Sequence, residues 1–437
     1  MLMRTTPFYP RLSELNQTGL YTHWAGHLSA LRYDLSAKHE YFAVRNSVGL
    51  FDTSPLFKYR ITGPDSERFL AGVMTRDIRR CRPGHAFYTV WCDDGGYVLE
   101  DGVLFRHAED DWLLTAAAAN LGYLESLVGR LRVSIEDVSA EYGVLAIQGP
   151  RSRAVLRTLA PEVDDLPYFG LTPAKIGDAP VTISRTGYTG DLGFEVFVGA
   201  EDALAVLDRI MQAGEGHGLR PFGEDALLML RIEAGLALMN VEFSSARLAF
   251  TDAERFTAKE LGFAWMLGKD GAALGEDRPF VGRRAIEREL GEGTSRWATV
   301  GLWVDYQEFE RLHLERGLLV PKDENPVPWE SMLYDGPGHE RERVGYATSL
   351  MYSPILQRHI AMARVLPEYA PKGSTVHLEI TVDHEYVTVP ATTDRMPLFN
   401  PARKTGSSVE PYPISHRMAA SVEPPRSSVE PVETTSS

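Results

Sequence analysis

Short apolar or alternating runs at 57–61, 97–105, 112–115, 144–147, 181–184 and 194–198, each bounded by Gly, Pro or Asp, predict β-strands. Between them, apolar residues spaced three and four apart predict helices over 66–74, 121–131, 152–159 and 201–214. A longer helix is predicted over 225–238, almost wholly apolar but interrupted by Arg231 and Glu233. Strands and helices do not alternate regularly, which predicts an α+β fold rather than a doubly wound sheet. After a polar, glycine-containing stretch at 287–296 the chain reads as strand-rich to Thr392, with a turn signal at Tyr334-Asp335-Gly336-Pro337-Gly338. The expected organisation is an N-terminal extension (1–46), an α+β region of two subdomains (47–293), a small β-barrel (294–400) and a disordered tail (401–437).

The tail expectation rests on composition. From Arg403 onward the chain is rich in Ser, Pro, Glu and Thr and repeats Ser-Val-Glu-Pro at Ser408, Ser421 and Ser428, too polar to offset the entropy of ordering. At 437 residues and 44% hydrophobic, the remainder can bury more than one core. A formal charge of -15 opposes a phosphate backbone and argues against nucleic-acid partners. Two cysteines, Cys81 and Cys92, are too few for a disulfide framework and suit a reducing compartment. The first ten residues carry no apolar signal-like core and no segment reaches the length of a membrane span, so a cytoplasmic location without membrane association is expected.

The absence of the common cofactor-cradle motifs narrows the chemistry. No Gly-x-Gly-x-x-Gly opens a helix after a strand and no Gly-x-x-x-x-Gly-Lys-Ser/Thr occurs, which removes the ordinary dinucleotide and nucleoside-triphosphate sites. His23 and His27 are four apart, but no general-base Glu stands beside them, so they are read as packing or surface residues and no metal is expected. No Gly-x-Ser-x-Gly elbow points to hydrolysis.

What remains is charge inside apolar, glycine-flanked segments. Asp101 ends the run Gly95-Gly96-Tyr97-Val98-Leu99-Glu100-Asp101 inside a predicted strand, where an unpartnered carboxylate would cost several kcal/mol. Successive strand residues face opposite ways, so Glu100 and Asp101 cannot enter one pocket. Glu195 follows Arg185-Thr186-Gly187-Tyr188-Thr189-Gly190-Asp191-Leu192-Gly193-Phe194, whose three glycines predict a tight turn or close approach to a ligand. Taken singly, each of these residues also fits a buried ion pair or a strand-end cap.

Taken in order, these segments resemble the glycine-cleavage T-protein family, the folate-dependent aminomethyltransferases and their relatives. The resemblance runs from about Ser47 to Thr392 and includes Gly49-Leu50-Phe51-Asp52, Gly63-Pro64-Asp65, Pro83 to Thr89, the run ending at Asp101, and Ala146-Ile147-Gln148-Gly149-Pro150. It continues through Gly187 to Glu195, Arg231 to Gly235, Phe280-Val281-Gly282-Arg283 and Val344 to Ser349 with Ser353-Pro354. The resemblance implies a multidomain ring around a central folate-binding cavity with a C-terminal small β-barrel, and tetrahydrofolate as the cofactor. It implies Asp101 as the catalytic aspartate beside the reactive folate nitrogens, Tyr88 as a pocket-lining tyrosine, Tyr188 and Glu195 as the pterin contacts, and Arg231 as a cavity arginine.

The sequence departs from the family pattern on the donor side. Glu100-Asp101 stands for Asp-Asp, Leu228 for an aspartate before the helix arginine, Thr115-Ala116-Ala117 for Ser-Asn-Ala, and the stretch from Met239 to Trp265 is longer than the family's. Three expectations follow from the resemblance. The first is aminomethyl transfer from a lipoyl carrier protein, giving methylene-tetrahydrofolate. The second is demethylation of a small methylated amine, ether or sulfonium, and the third a non-catalytic folate-binding regulator.

Overall fold

A computed structural model describes residues 3–268, 271–272, 274–275, 278–322, 326, 331–338 and 340–406. All six strands and all five helices expected above are present. The helix expected over 225–238 spans Glu224–Ala234 and stops at Gly235, whose φ of +66° ends the helical path in the left-handed region glycine adopts without cost.

Beside a two-stranded hairpin, Tyr21–Trp24 and His27–Ala30, two larger open sheets form the first part of the fold. A five-stranded antiparallel sheet runs in the order His85–Cys92, Val98–Ala108, Asp111–Ala116, Phe57–Thr62, Ser134–Asp137. A six-stranded sheet runs in the order Leu171–Ile176, Ala179–Ser184, Gly193–Gly199, Tyr142–Gln148, Val48–Asp52, Leu219–Pro221, with only the last pair parallel. The chain lays down Val48–Asp52 in the second sheet, leaves to build the whole of the first, and returns at Tyr142. The two subdomains are therefore interleaved, and their facing walls are fixed relative to each other.

Each larger sheet buries one face under amphipathic helices. Ala203–Gly214 turns Ala203, Val206, Leu207 and Ile210 onto Val181, Ile183 and Val196. Ser66–Val73 turns Phe69, Leu70 and Val73 onto Tyr59, Trp91 and Leu104. Full burial of each such side chain contributes about 1.5–3 kcal/mol, so these helices form through packing more than through intrinsic propensity.

The third module is a closed six-stranded barrel, Ala298–Val304, Arg358–Val365, Arg343–Ser353, Ser331–Tyr334, Thr375–Val382 and Glu385–Asp394, the last strand pairing back onto the first. Within the polar stretch 287–296, the helix Arg283–Glu292 continues to Gly293 before the barrel begins at Ala298.

Two segments read as peripheral are built into the molecule. The helix Ala37–Asn46 buries Tyr41, Val44 and Arg45 against the helix Glu224–Ala234. In the segment assigned to the tail, Arg403 reaches Asp191 at 2.6 Å, and Arg185 donates to the carbonyls of Lys404 and Gly406. The rest of the expected disordered tail, 407–437, lies outside the described residues.

Candidate functional site

The three modules meet around a cavity of about 1670 Å³. Its walls include Asp101 from the five-stranded sheet, Glu195 from the six-stranded sheet and Thr348 from the barrel. All five residues singled out in the sequence, Tyr88, Asp101, Tyr188, Glu195 and Arg231, border this one space.

Strand register places the first pair. Tyr88 lies opposite Val103, and Val90 lies opposite Asp101, so Tyr88 and Asp101 share a sheet face as diagonal neighbours. The Tyr88 hydroxyl donates to Asp101 Oδ2 at 2.7 Å. Burial pushes the Asp101 carboxyl up to about 6, a rise that the Tyr88 hydrogen bond restrains. Burial and the Asp101 charge hold the Tyr88 hydroxyl well above its ordinary value, so the tyrosine remains a donor. The strand leaving Asp101 passes so close to its neighbour that a Cβ on Gly102 would lie 2.2 Å from the Thr115 carbonyl oxygen. Only glycine fits there, and it fixes the depth at which Asp101 is held.

Glu100 points away from the cavity, as strand alternation requires. Its Oε2 accepts from the Ala118 amide at 3.1 Å and Asn120 Nδ2 at 3.2 Å, and its Oε1 is buried without a partner. Burial, reinforced by the Asp101 charge, pushes this carboxyl up to about 8, so it is largely neutral at pH 7.

At the opposite wall, Gln148 anchors the Gly-rich turn by donating to the carbonyls of Thr186 and Phe194 and accepting from the Thr189 hydroxyl. The turn presents Tyr188 and leads into Glu195. Thr186 Oγ1 donates to Glu195 Oε2, while the other carboxylate oxygen has no protein donor among the described residues. Burial raises the Glu195 pKa, opposed by the Thr186 hydrogen bond and the Lys58 charge. Tyr188 donates to the Ala237 carbonyl, which fixes its ring against the chain that follows the helix.

Arg231 borders the cavity, but most of its guanidinium is committed to the wall. Nη1 donates to Glu242 Oε2 at 2.6 Å and Nη2 to Ser349 Oγ at 2.8 Å, and Ser349 and Thr348 donate to Glu242 Oε1. The pair thus ties helix Glu224–Ala234 to the barrel, leaving Arg231 Nε buried without an acceptor. Sequence reasoning missed Glu242, because the chain around it departs from the family pattern. It also missed Lys58, an ammonium embedded in an apolar strand. Burial pushes this amine down to about 8. The available signal was the same in both cases, a charged residue flanked by apolar ones.

The open oxygen of Glu195 and the orphaned Arg231 Nε are the groups a polar, flat ligand with donor and acceptor edges requires, and the cavity is large enough for a pterin with its aryl extension. The residues present therefore fit a folate. Among the described residues no cluster of three or more His, Cys, Asp or Glu side chains could hold a metal ion, and no helix is long and apolar enough to cross a membrane.

Comparison with known proteins agrees with this geometry. The family model "GCVT N-terminal domain" matches residues 13–260, starting well before Ser47, and "Glycine cleavage T-protein C-terminal barrel domain" matches residues 316–400. An aminomethyltransferase of Oceanobacillus iheyensis is 31% identical over 388 residues, 84% of this chain and 95% of that protein. A trimethylamine-oxide aldolase of Ruegeria pomeroyi is 33% identical over 359 residues, 78% of this chain but 40% of that longer protein. The crystal structure of the glycine cleavage system aminomethyltransferase T from Bartonella henselae shares the fold, with a TM-score of 0.74 at 23% identity over 91% of this chain and 99% of that one. The chain belongs to the glycine cleavage T-protein family, and it is a folate-dependent one-carbon transferase.

Proposed function

We propose that this protein transfers an aminomethyl-derived carbon from a lipoyl carrier protein to tetrahydrofolate, with Asp101 as the catalytic carboxylate. The observation that carries this reading is the Tyr88–Asp101 hydrogen bond inside a cavity that Glu195, Tyr188 and Arg231 also border. Tetrahydrofolate supplies the nucleophilic nitrogens that accept the one-carbon unit.

Glu195, with one oxygen free, accepts from the amide and amino edge of the pterin and sets its orientation. Tyr188 borders the same cavity. Asp101, with a pKa of about 6, is mostly ionised at pH 7 yet basic enough to hold a proton, and it would stand as the base beside the folate nitrogens while the donor carbon leaves the carrier sulfur and its amino group departs as ammonia. Its charge would also favour a cationic one-carbon centre beside it. Tyr88, a lasting donor, holds the carboxylate in one orientation, and the largely neutral Glu100 behind it adds little competing negative charge at pH 7.

A second reading, demethylation of a small methylated amine, is favoured by an aromatic corner of the same cavity. Tyr88 meets Phe263 edge-on at 5.6 Å and stacks with Trp265 at 6.4 Å, a surface suited to a methylated ammonium ion. The trimethylamine-oxide aldolase similarity supports the same reading. Incubation with tetrahydrofolate and a donor panel, namely aminomethylated lipoyl carrier and methylated glycines and amines, with mass analysis of the folate product, separates the two. Methylene-tetrahydrofolate from the carrier is expected. Methyl-tetrahydrofolate from an amine alone would replace the first reading with the second.

A further inference from the structure

Lys58 is fully buried, borders the cavity and has no carboxylate within ion-pair distance among the described residues. Its Nζ donates to the Ser54 and Leu56 carbonyls, each at 2.8 Å, which uses two of the three ammonium protons. A lysine kept only for structure would be expected to pair with the nearby half-buried Asp52. That carboxylate is instead occupied by the Thr6 hydroxyl at 2.6 Å and the Ser54 amide at 3.0 Å. Burying an ammonium this way is costly unless its remaining proton finds an acceptor.

Lys58 lies opposite Thr115, Thr115 opposite Val103 and Val103 opposite Tyr88, one row across the five-stranded sheet whose four members all border the cavity. Ser54 Oγ accepts from the Val144 amide, Val144 lies opposite Phe197, and Phe197 is two positions along the same strand face from Glu195. Val144, Phe197 and Glu195 all border the cavity. Glu195 and Lys58 also lie close enough for their charges to influence each other.

We infer that Lys58 is a specificity-determining residue whose free N–H donates to the ring carbonyl of the pterin, beside the amide and amino edge that Glu195 accepts from. The inference rests on the folate reading above. A 4-oxo pterin presents donor, donor and acceptor in a row, and a carboxylate flanked by an ammonium complements that row. A 4-amino pterin puts a donor where the ammonium also donates, and is disfavoured.

The test measures equilibrium affinity for tetrahydrofolate and for its 4-amino counterpart by calorimetry, in the wild-type protein, Lys58→Met and Lys58→Gln. The wild type should favour the 4-oxo ligand. Lys58→Met should weaken 4-oxo binding about tenfold or more while changing 4-amino binding less than about threefold, and Lys58→Gln, which keeps a donor, should restore part of the preference. Equal losses for both ligands, or none for either, would overturn the inference while leaving the folate site standing. Absence of any tetrahydrofolate binding by the wild type would overturn both. If neither variant folds, the wild-type preference decides: equal affinity for the two ligands overturns the inference.

Discussion

Two buried charge clusters lie close together in this molecule, and they differ in whether their charges are satisfied. In the first, Arg45 reaches Glu233 at 2.6 Å and Asp191 at 3.3 Å, Tyr41 and Ser353 donate to the other Glu233 oxygen, and Arg403 closes on Asp191. Every carboxylate oxygen there has a partner, and the cluster joins the helix Ala37–Asn46, the helix Glu224–Ala234, the Gly-rich turn, the barrel and the C-terminal segment. In the second, around the cavity, Asp101 has one side-chain donor, Glu195 has an unmatched oxygen and Lys58 has an unmatched proton. Closed networks hold modules together. Open ones are where a ligand completes the set.

Substitutions should split along that line. Asp101→Asn preserves shape and removes the proposed base, so one-carbon transfer should fall roughly 100- to 10,000-fold with tetrahydrofolate affinity little changed, measured by product formation and by calorimetry. Glu233→Gln should act the other way. Breaking a closed, buried pair costs about 3–5 kcal/mol, read in urea titration, with the remaining folded protein still binding folate.

Smaller effects follow from pKa direction. With Asp101 in the proposed role of base, the transfer rate should rise with pH through about 6 and level off above it. Tyr88→Phe removes the hydrogen bond that restrains this rise, so the midpoint should move to higher pH in a rate–pH profile. The same burial has a stability cost. A carboxyl whose folded pKa lies above its unfolded value binds more protons when folded, so it lowers stability as pH rises from its unfolded value of 3.8 to about 6. Asp101→Asn should therefore raise the melting temperature at pH 7.5 by a few degrees, a gain that disappears near pH 4.

The strands and helices that build both sheets were legible because their apolar spacing is local. Asp101, Glu195 and Arg231 stood out as charges in apolar or glycine-flanked segments, Tyr88 and Tyr188 only through the resemblance to the family, and all five border one cavity. Partners far apart in the chain were not. Nothing within residues 37–46 indicates that Arg45 meets a carboxylate 188 positions later, and the Ser- and Pro-rich composition beyond Arg403 hid a guanidinium that pairs with Asp191. Arg231 borders the expected cavity, but its dominant contact, Glu242, lies in a segment where the family pattern gives no guide.

The most direct test is titration of the wild-type protein with tetrahydrofolate, following heat release and melting temperature together. A cavity with open polar groups should take up one equivalent and gain about 2.7 kcal/mol of stability at a hundredfold excess over Kd, an effect strongly reduced in Glu195→Gln. A melting temperature that no concentration of tetrahydrofolate moves would contradict the assignment of this cavity as the folate site.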